Sequence, residues 1–357
     1  DGIVTQVQVQ NPWRGTIPGA DISENESKAP YLAEYLGIRP DFALSQPTGG
    51  VNGGMMIFYA IGAISLGLAS TVLIVTGDNQ RSKLGSRGWG KTITKNAGGY
   101  WAEEEFEVPF GLTIHSCFAM RAQRHMSEYG TTSRQLAEVA VASRKHAMRH
   151  PKAQMRTPIT VEDVLNSRII SSPLHLLDCS PVSDGAYAFI LTTAERARNL
   201  KQKPVYWLGG GEHRQHMYFT WAPSMTSTGA VQASDRAFRM AGIKREDIDV
   251  VYLYDAFTIG PIIFLEDLGF CKKGEGGPFV EGGRLDIGGQ LPTNTHGGLL
   301  SFAHQGRAGW GSHLVELILQ LRGQADQRQV KGAELALLHS GGGTHTCHAV
   351  SIWSNQP

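Results

Sequence analysis

The pattern that most constrains the fold occurs twice in the chain. In its first copy, a glycine-rich turn leads into an apolar helix over 55–66 and then into an apolar strand over 71–77. In its second copy, the turn GRAGWG leads into a helix over 313–321, a polar connection and a strand that begins at Leu335. A helix that is apolar on all sides must be buried, and an apolar strand must be covered on both faces. The repeat therefore predicts an α/β protein with two similar halves packed around paired central helices.

A long insertion separates the two copies, from about residue 78 to residue 177. It contains one clear amphipathic helix, in which Thr132 and Gln135 form a capping-box pattern and which Pro151 ends. A second helix is predicted to begin at Thr160, whose hydroxyl can cap it. Further along the chain, the sequence predicts a helix over 234–241 and a strand over 250–257.

Histidines and glycines cluster between residues 294 and 343. His296 and His304 stand in glycine-rich sequence just before the second apolar helix, and His339 ends the following strand and precedes glycines. Glycine allows backbone N–H groups to approach a ligand, and a helix N-terminus adds positive potential there. A single histidine beside a strand is more often structural, but the convergence of three in one short stretch indicates an active site.

The charge balance argues against polyelectrolyte partners. The chain has 357 residues and a formal net charge of +1. No basic stripe or acidic tail is present, so we expect a small-molecule partner and neither nucleic acid nor a membrane surface. The uncharged run 55–77 is long enough for a transmembrane helix, but the segment 67–70 interrupts it, which favours a buried helix, a turn and a buried strand.

The cysteines give no sign of a disulfide framework or a thiolate metal site. They are Cys117, Cys179, Cys271 and Cys347. Because they are scattered and form no CxxC pair, a reducing cytoplasm is the economical assignment. Near the C-terminus, the metal-binding side chains of His339, His345, Cys347 and His348 lie close together in sequence, but zinc-type spacing is missing and strand alternation should place His345 and His348 on opposite faces. No metal is therefore predicted.

Several motifs, in this order, resemble the thiolase superfamily and in particular its sterol-carrier-protein-X-type members. They are HMSEYGTTSRQLAEVAVASRKHA, LLDCSPVSDGAYAFILTTAERA, DIDVVYLYDAFT, NTHGG and the final HSGGG. The resemblance covers nearly the whole chain and implies two thiolase halves in a layered αβαβα arrangement with a loop-domain insertion. Residues 1–77 and 178–208 would form the N-terminal half, 78–177 the insertion and 209–357 the C-terminal half. The first strand and helix of the family fold would be absent.

The resemblance also implies that the usual nucleophile is missing. Thiolases attack with a cysteine at the N-terminus of the first buried helix, where the helix dipole lowers its pKa. Here that turn reads GGVNGG, with Val51 near the family position, and no cysteine precedes Cys117. Acyl transfer through a thioester at this position is therefore excluded.

The other site positions carry over with changes. The family motif Asn-Glu-Ala-Phe corresponds to Tyr254-Asp255-Ala256-Phe257, the histidine of the Gly-His-Pro turn to His304, and the cysteine before the glycines to His339. The resemblance thus implies three catalytic residues, Tyr254, His304 and His339, and six that bind substrate: Asp255, Asn294, His296, Gly297, Gly341 and Gly342. This combination resembles the steroid side-chain aldolases, which cleave a β-hydroxyacyl-CoA by a retro-aldol reaction. Those enzymes work with a small OB-fold, zinc-ribbon partner.

Retro-aldol cleavage needs a base for the β-hydroxyl proton and donors for the thioester oxygen, but no nucleophile. A tyrosine with a pKa of about 10 is a poor base at neutral pH unless positive neighbours lower that pKa. Tyr254, His304 and His339 therefore all stay open as the base. Three classes of function stay open too: a carbon–carbon lyase acting on a CoA thioester, a thiolytic acyltransferase using a thiol such as Cys347, and a catalytically silent subunit. No covalently bound cofactor is expected, since the CoA thioester is the substrate.

Two partners are expected. The strand 71–77 is apolar, so we expect it to be covered on both faces and paired at its edge, as in a homodimer with the thiolase-type interface. The resemblance to the aldolases implies, in addition, a small acyl-CoA-binding partner subunit.

Overall fold

The computed structural model describes residues 1–7, 28–45, 49–84, 107–216 and 218–357. Its strands are β1 (Gly2–Val7), β2 (Phe42–Ser45), β3 (Thr71–Asn79), β4 (Ile169–Ser171), β5 (Leu174–His175), β6 (Asp184–Thr192), β7 (Tyr206–Arg214), β8 (Val250–Tyr252), β9 (Leu335–Gly342) and β10 (Cys347–Ser354). Its α-helices are α1 (Lys28–Leu36), α2 (Asn52–Ser65), α3 (Gln80–Leu84), α4 (Ile114–Tyr129), α5 (Ser133–Met148), α6 (Val161–Asn166), α7 (Ala194–Arg198), α8 (Ala230–Ala241), α9 (Ile259–Asp267), α10 (Gly276–Phe279) and α11 (Trp310–Arg322).

Two four-stranded sheets form the framework. In the first, with the order β2-β1-β3-β6, β1 is parallel to β2 and β3, and β6 is antiparallel to β3. In the second, with the order β7-β10-β9-β8, β8 is parallel to β9, and β10 is antiparallel to both of its neighbours. Each sheet therefore contains a parallel pair followed by an antiparallel strand, β1-β3-β6 in one and β8-β9-β10 in the other. This is the repeat that the sequence predicts.

The helices α2 and α11 lie between the two sheets and contact strands of both. Met56 of α2 and Leu314 of α11 belong to one buried core with Ile74 of the first sheet and Leu338 of the second. The approach is closest at Gly54, where an added Cβ would lie 2.1 Å from the methyl group of Ala349 in β10. The prediction of paired central helices is confirmed, and α2 joins the two sheets at its N-terminal end.

The insertion packs mainly on the second half, although its residues 85–106 lie outside the described part of the chain. As predicted, Thr132 caps α5 by accepting the N–H of Gln135, which completes a capping box, and Thr160 caps α6. Such caps contribute about 1 kcal/mol each. The helices α4, α5 and α9 share one apolar core. The insertion is thereby fixed against the chain that follows β8.

The strand β8 is shorter than predicted, because it ends at Tyr252 rather than Phe257. The backbone N–H of Leu253 donates to Oδ1 of Asn294 at 2.9 Å, and Nδ2 of Asn294 donates to the carbonyl of Leu253 at the same distance. A side chain thus takes the place of a neighbouring strand at Leu253. The chain leaves the sheet there, and Tyr254 becomes part of a loop. The second sheet also begins earlier than the predicted boundary at 209, since β7 starts at Tyr206.

The strand β3 does not support the predicted homodimer, because neither its edges nor its faces need a second copy. The strand β3 lies between β1 and β6, so both of its edges are already paired. Its burial alternates: Val72, Ile74 and Thr76 are buried, whereas the intervening side chains are half-exposed. The strand therefore does not require cover on both faces from a second copy.

Among the described residues, no helix is both long and apolar enough to cross a bilayer.

Candidate active site

The first turn of α2 and the 3-10 turn that precedes it, Gly49–Val51, meet the loop after β8 and the end of β9. A Cβ on Gly50 would lie 2.5 Å from the carbonyl oxygen of Gly341 and 2.8 Å from the hydroxyl oxygen of Tyr254. Only glycine leaves room for that hydroxyl. The first N–H groups of a helix have no intrahelical acceptor and carry positive potential. The turn thus places backbone donors beside the phenol of Tyr254.

Three side chains form a polar chain in this site. The Tyr254 Oη atom lies 3.2 Å from Nε2 of His304, and Nδ1 of His304 lies 2.8 Å from Oγ of Ser180. Ser183 holds the backbone of His304 on both sides, because its N–H donates to the His304 carbonyl at 3.0 Å and its Oγ accepts the His304 N–H at 3.2 Å. The N–H of Ser180 donates to the Ala256 carbonyl at 3.0 Å. The loop before β6 therefore orients both members of the Tyr254–His304 pair.

Burial controls the charge of this pair. Burial, and secondarily the negative charge of Asp255, raises the pKa of Tyr254 above its ordinary value. Burial lowers the pKa of His304 to about 4. At neutral pH the pair is a phenol facing an uncharged imidazole. Such a pair can take up a ligand proton at Oη while the phenol proton moves to Nε2.

His339 lies behind Tyr254 and not beside its hydroxyl. The backbone N–H of Tyr254 donates to Nδ1 of His339 across 3.5 Å, and Nε2 of His339 lies 3.0 Å from Nδ1 of His348. Burial, and then the neighbouring His348, lowers the pKa of His339 well below its ordinary value. The two predicted catalytic histidines thus both contact Tyr254: His304 contacts its hydroxyl, and His339 contacts its backbone N–H.

Two predicted substrate ligands, Asp255 and Asn294, make hydrogen bonds within the protein. Asp255 is fully buried, and its Oδ1 accepts the backbone N–H of Leu299 at 2.7 Å in the π-helical turn Gly298–Phe302. Both polar atoms of the Asn294 side chain bind the backbone of Leu253, as described above. Their polar atoms already have partners in the protein, so they orient the loops that carry Tyr254 and His304.

His296 and Gly297 have supporting positions too. His296 is buried, with Nε2 3.3 Å from Oγ of Ser312 on α11. Gly297 has a φ of 106°, and an added Cβ would lie 2.5 Å from the Cβ of Ala147 on α5. Contact of these two residues with substrate stays a prediction.

The two predicted glycines of β9 do lie at the site. The carbonyl of Gly341 faces Gly50, as described above. An added Cβ on Gly342 would lie 2.9 Å from the Cβ of Val51 and 3.0 Å from the Sγ of Cys347. Val51, the position where the family resemblance places the nucleophile, is fully buried at this contact.

Cys347 is the only thiol in the apolar cluster formed with Val51, Met55 and Ala349. Its side chain is buried, and this burial raises its pKa. The thiol is therefore protonated at neutral pH, in contrast to the thiolate that nucleophilic attack requires. The geometry disfavours Cys347 as a substitute nucleophile.

The three C-terminal histidines are together, contrary to the expectation that strand alternation would place His345 and His348 on opposite faces. The ring of Phe264 packs against those of His339, His345 and His348 at centroid distances of 4.2, 4.7 and 5.6 Å. His345 is not in a strand: it lies in the turn before β10 with a φ of 66°, so the alternation rule does not apply to it. Across the described ranges, no group of three or more His, Cys, Asp and Glu side chains is arranged to hold a metal ion.

A cavity of about 480 Å³ lies next to the segment that carries His304. It is lined by Arg81, Lys152, Gln154, Ser183, Asp184, Tyr187, Phe302, Ala303 and Gln305. Its two cationic side chains, Arg81 and Lys152, outnumber its one carboxylate, Asp184, and suit an anionic ligand, and Ser183 connects it to His304.

Comparisons with known proteins identify the family of this chain. A family model described as the thiolase C-terminal domain matches residues 211–355. The chain is 38% identical over 296 residues to the 17-hydroxy-3-oxo-4-pregnene-20-carboxyl-CoA lyase of Mycobacterium tuberculosis, which spans 81% of this chain and 75% of that relative. The chain belongs to the thiolase superfamily.

A second relative carries the name of a different activity, and a solved structure shows the same fold. The chain is 43% identical over 254 residues to an acetyl-CoA acetyltransferase of Methanothermobacter thermautotrophicus, which spans 71% of this chain and 66% of that relative. The structure of the Ltp2-ChsH2(DUF35) aldolase superimposes with a TM-score of 0.84 at 32% identity, covering 100% of this chain and 87% of that one. The predicted thiolase-like α/β fold is confirmed. So is the predicted kinship with the sterol-carrier-protein-type, aldolase-containing branch of the superfamily.

Sequence reasoning missed Ser180 and Ser183, and it considered His348 only as a metal ligand. The two serines lie in the segment LLDCSPVSDG, which carries the resemblance but has no catalytic spacing of its own. The contact of Ser180 with His304 links residues 124 positions apart, so no local pattern could have shown it.

Proposed function

We propose that this chain is a carbon–carbon lyase that cleaves a β-hydroxyacyl-CoA by a retro-aldol reaction. The products are a ketone or aldehyde and a shorter acyl-CoA. The observation that carries the proposal is the Tyr254–His304 pair, which stands at the N-terminus of α2 where the family nucleophile is replaced by Val51. The site has proton-transfer groups and backbone donors but no activated thiol, and retro-aldol cleavage needs only the first two.

In the proposed mechanism, the β-hydroxyl of the substrate donates to Oη of Tyr254. As its O–H bond breaks, the proton passes to Oη and the phenol proton passes to Nε2 of His304. The C–O bond becomes a carbonyl, the bond between the α- and β-carbons breaks, and its electron pair moves onto the thioester as an enolate. The imidazolium then returns a proton through Tyr254 to the α-carbon, which gives the shorter acyl-CoA and restores the pair.

The enolate oxygen needs donors that are in place before the bond breaks. The turn that leads into α2 offers them, because the first N–H groups of a helix lack intrahelical acceptors and Gly50 of this turn lies beside the Tyr254 hydroxyl. Donors of this kind each contribute about 10²–10³-fold to turnover in other enzymes. The helix that holds the nucleophile in other thiolases would thus stabilise charge here.

The CoA part and the acyl part of the substrate need different surroundings. The cavity beside His304 carries Arg81 and Lys152, whose charges suit the phosphates of CoA. We propose a steroid or another bulky side chain as the acyl group, because the relative from M. tuberculosis is named for a pregnene carboxyl-CoA. No bound cofactor enters this proposal, since the CoA thioester is itself the substrate.

We further propose two assemblies. A small OB-fold, zinc-ribbon subunit would bind beside this chain, which the name of the aldolase Ltp2-ChsH2(DUF35) supports, since that aldolase is paired with a second protein. A homodimer is the second proposal. It rests on the resemblance to the family alone, because β3 offers no unpaired edge.

A thiolytic acyltransferase is the second candidate function, because the relative from M. thermautotrophicus carries that name. It would require a thiol at the site, and the buried Cys347 would have to supply it. A catalytically silent subunit is the remaining alternative.

One experiment separates the three functions. The purified chain, with and without the candidate partner subunit, is offered a panel of β-hydroxyacyl-CoA thioesters, and the products are followed by mass spectrometry. Release of a ketone or aldehyde without added free CoA supports the lyase. Cleavage that depends on free CoA supports the acyltransferase, and no cleavage of any thioester supports the silent subunit.

A further inference from the structure

Behind the proposed base, a chain of hydrogen bonds runs through two histidines and ends at a third. The Tyr254 N–H lies 3.5 Å from Nδ1 of His339, Nε2 of His339 lies 3.0 Å from Nδ1 of His348, and Nε2 of His348 lies 3.2 Å from the carbonyl oxygen of His345. The chain thus starts at a backbone donor and ends at a backbone acceptor. Neither end can change its role.

These two ends fix the position of every proton between them. A carbonyl only accepts, so Nε2 of His348 carries a proton and Nδ1 of a neutral His348 does not. That Nδ1 must therefore accept, which places a proton on Nε2 of His339 and leaves Nδ1 of His339 as an acceptor. The backbone N–H of Tyr254 only donates, and it demands the same arrangement. Both ends require one and the same tautomer of His339.

Burial keeps both rings neutral, as this arrangement requires. Burial lowers the pKa of His348 to about 3 and lowers that of His339 well below its ordinary value. Their rings are nearly parallel, with centroids 5.3 Å apart and an interplanar angle of 19°, and Phe264 packs against both. A charge on either ring would have to be held in this apolar setting, which is costly.

The far end of the chain is held by a buried arginine. Nη2 of Arg121 donates to the carbonyl of Thr344 at 2.9 Å, and the Thr346 N–H donates to the carbonyl of Gly342 at 3.1 Å. Between them His345 has a left-handed φ of 66°, a backbone conformation that costs about 1 kcal/mol or more for a residue other than glycine. The turn thus holds the His345 carbonyl at the ring of His348.

We propose that His348 is a positioning residue, which fixes His339 in the tautomer with a proton on Nε2 so that Nδ1 of His339 holds the backbone of Tyr254. This inference rests on the proposed function, because the residue that it positions is the proposed base. His339 is then neither the base nor a donor to the enolate. The proton chemistry belongs to Tyr254 and His304, and the three C-terminal histidines set where Tyr254 stands.

The first test reads the tautomer without any activity assay. Protein labelled with ¹⁵N in its histidine rings is studied by long-range ¹H–¹⁵N correlation NMR at neutral pH, and His339→Gln assigns the signals. The expected spectrum shows His339 and His348 both with a proton on Nε2 and none on Nδ1. A proton on Nδ1 of His339, or an imidazolium at either position, would overturn the proposal.

The second test uses a matched pair of variants at His348. An asparagine keeps an acceptor near the place of Nδ1 and a donor in the same amide, whereas a phenylalanine keeps a planar ring and loses both. We expect His348→Phe to lower kcat by about 10- to 100-fold with little change in KM, as small misplacements of catalytic groups do. His348→Asn should recover most of that loss. Equal kcat values for His348→Phe and the parent would overturn the proposal, as would equal losses in the two variants.

The two tests fail independently of the proposed function. If Tyr254→Phe keeps full lyase activity, the assignment of the base fails while the NMR result still decides the tautomer. If the tautomer is the opposite one in an enzyme that Tyr254→Phe inactivates, the lyase mechanism stands and only the role of His348 falls.

Discussion

The hydroxyl groups of Tyr252 and Tyr254 meet different partners, although the two residues stand only two positions apart. Tyr252 Oη lies 3.0 Å from Oγ1 of Thr295 in the buried core, and Tyr254 Oη lies 3.2 Å from Nε2 of His304 at the site. The end of β8 between them accounts for the difference, because the chain turns out of the sheet at Leu253. The two tyrosines therefore form a natural matched pair for mutation.

Tyr254→Phe should keep the fold and lower kcat by about 10²–10⁴-fold, the usual effect of removing a general acid–base group. Tyr252→Phe is the control, since it also removes a hydroxyl with one hydrogen-bond partner. It should lower stability by about 1 kcal/mol and leave kcat within a few-fold of the parent. Steady-state kinetics and urea denaturation of both variants check this. Similar kcat values for the two variants would contradict the role of Tyr254.

His304→Ala should lower kcat about as much as Tyr254→Phe, because the phenol then has no acceptor for its proton. The double variant should be little worse than either single variant, since the two residues act as one unit. Ser180→Ala should lower kcat about 10-fold, because Nδ1 of His304 loses its partner and the ring loses its orientation. Fully multiplicative losses in the double variant would show that the residues act separately.

The kcat of the parent enzyme should be flat from roughly pH 6 to pH 9. Burial raises the pKa of Tyr254 and lowers that of His304 to about 4, so the phenol keeps its proton and the imidazole stays neutral across that range. A tyrosine acting as a phenolate would instead give a kcat that rises with pH as the phenol ionises. The kcat profile, measured with saturating substrate, distinguishes these two cases.

Cys347→Ala should change kcat less than about 3-fold under the lyase mechanism, because only a buried thiol is lost from an apolar cluster. Under the acyltransferase alternative it should abolish activity. Intact-protein mass spectrometry of the parent with substrate gives a second measurement, since only the acyltransferase forms an acyl-enzyme. An inactive Cys347→Ala beside a trapped acyl-enzyme in the parent would replace the lyase by covalent acyl transfer.

The free energy of unfolding should fall as the pH drops from 6.5 towards 5. Above pH 6.5 His348 is neutral in both states, since its pKa is about 3 when folded and 6.5 is the ordinary value. Below pH 6.5 the unfolded chain binds a proton that the folded chain excludes, so acid favours unfolding. Between pH 6.5, where the unfolded histidine is already half protonated, and pH 5, one such group costs about 1.6 kcal/mol. In urea denaturation at both pH values, the free energy of unfolding of His348→Asn should fall by that much less than the free energy of the parent. An equal fall in the two proteins would refute the assignment.

Elements that depend on local patterns could be predicted from the sequence. The cap at Thr132 and the repeated turn, helix and strand each follow from residues a few positions apart. The end of β8 does not, because the side chain that replaces its neighbouring strand belongs to Asn294, 41 positions after Leu253. A sequence pattern shows that a strand is apolar, but not where another part of the chain will take over its hydrogen bonds.

The sequence predicted which residues belong to the candidate site better than it predicted what each residue does. Tyr254, His304 and His339 could be selected because the resemblance aligns them with known catalytic positions. Their roles depend on strand register: in the β9–β10 pairing His348 stands opposite Gly341 and Val350 opposite His339, which brings the rings of His339 and His348 together. Asp255 and Asn294 look like ligands in the sequence for the same reason that they make good supports, since both are short polar side chains beside turns.

The close contact between Gly54 and Ala349 ties the geometry of the active site to the distance between the two sheets. The helix α2 contacts strands of both sheets, and its first turn rests against β10 with no space for a methyl group. The same turn continues back to Gly50, which lies against the hydroxyl of Tyr254, so the spacing between the sheets and the geometry of the site depend on the same few backbone contacts. Turnover should therefore be sensitive to any substitution that changes this spacing.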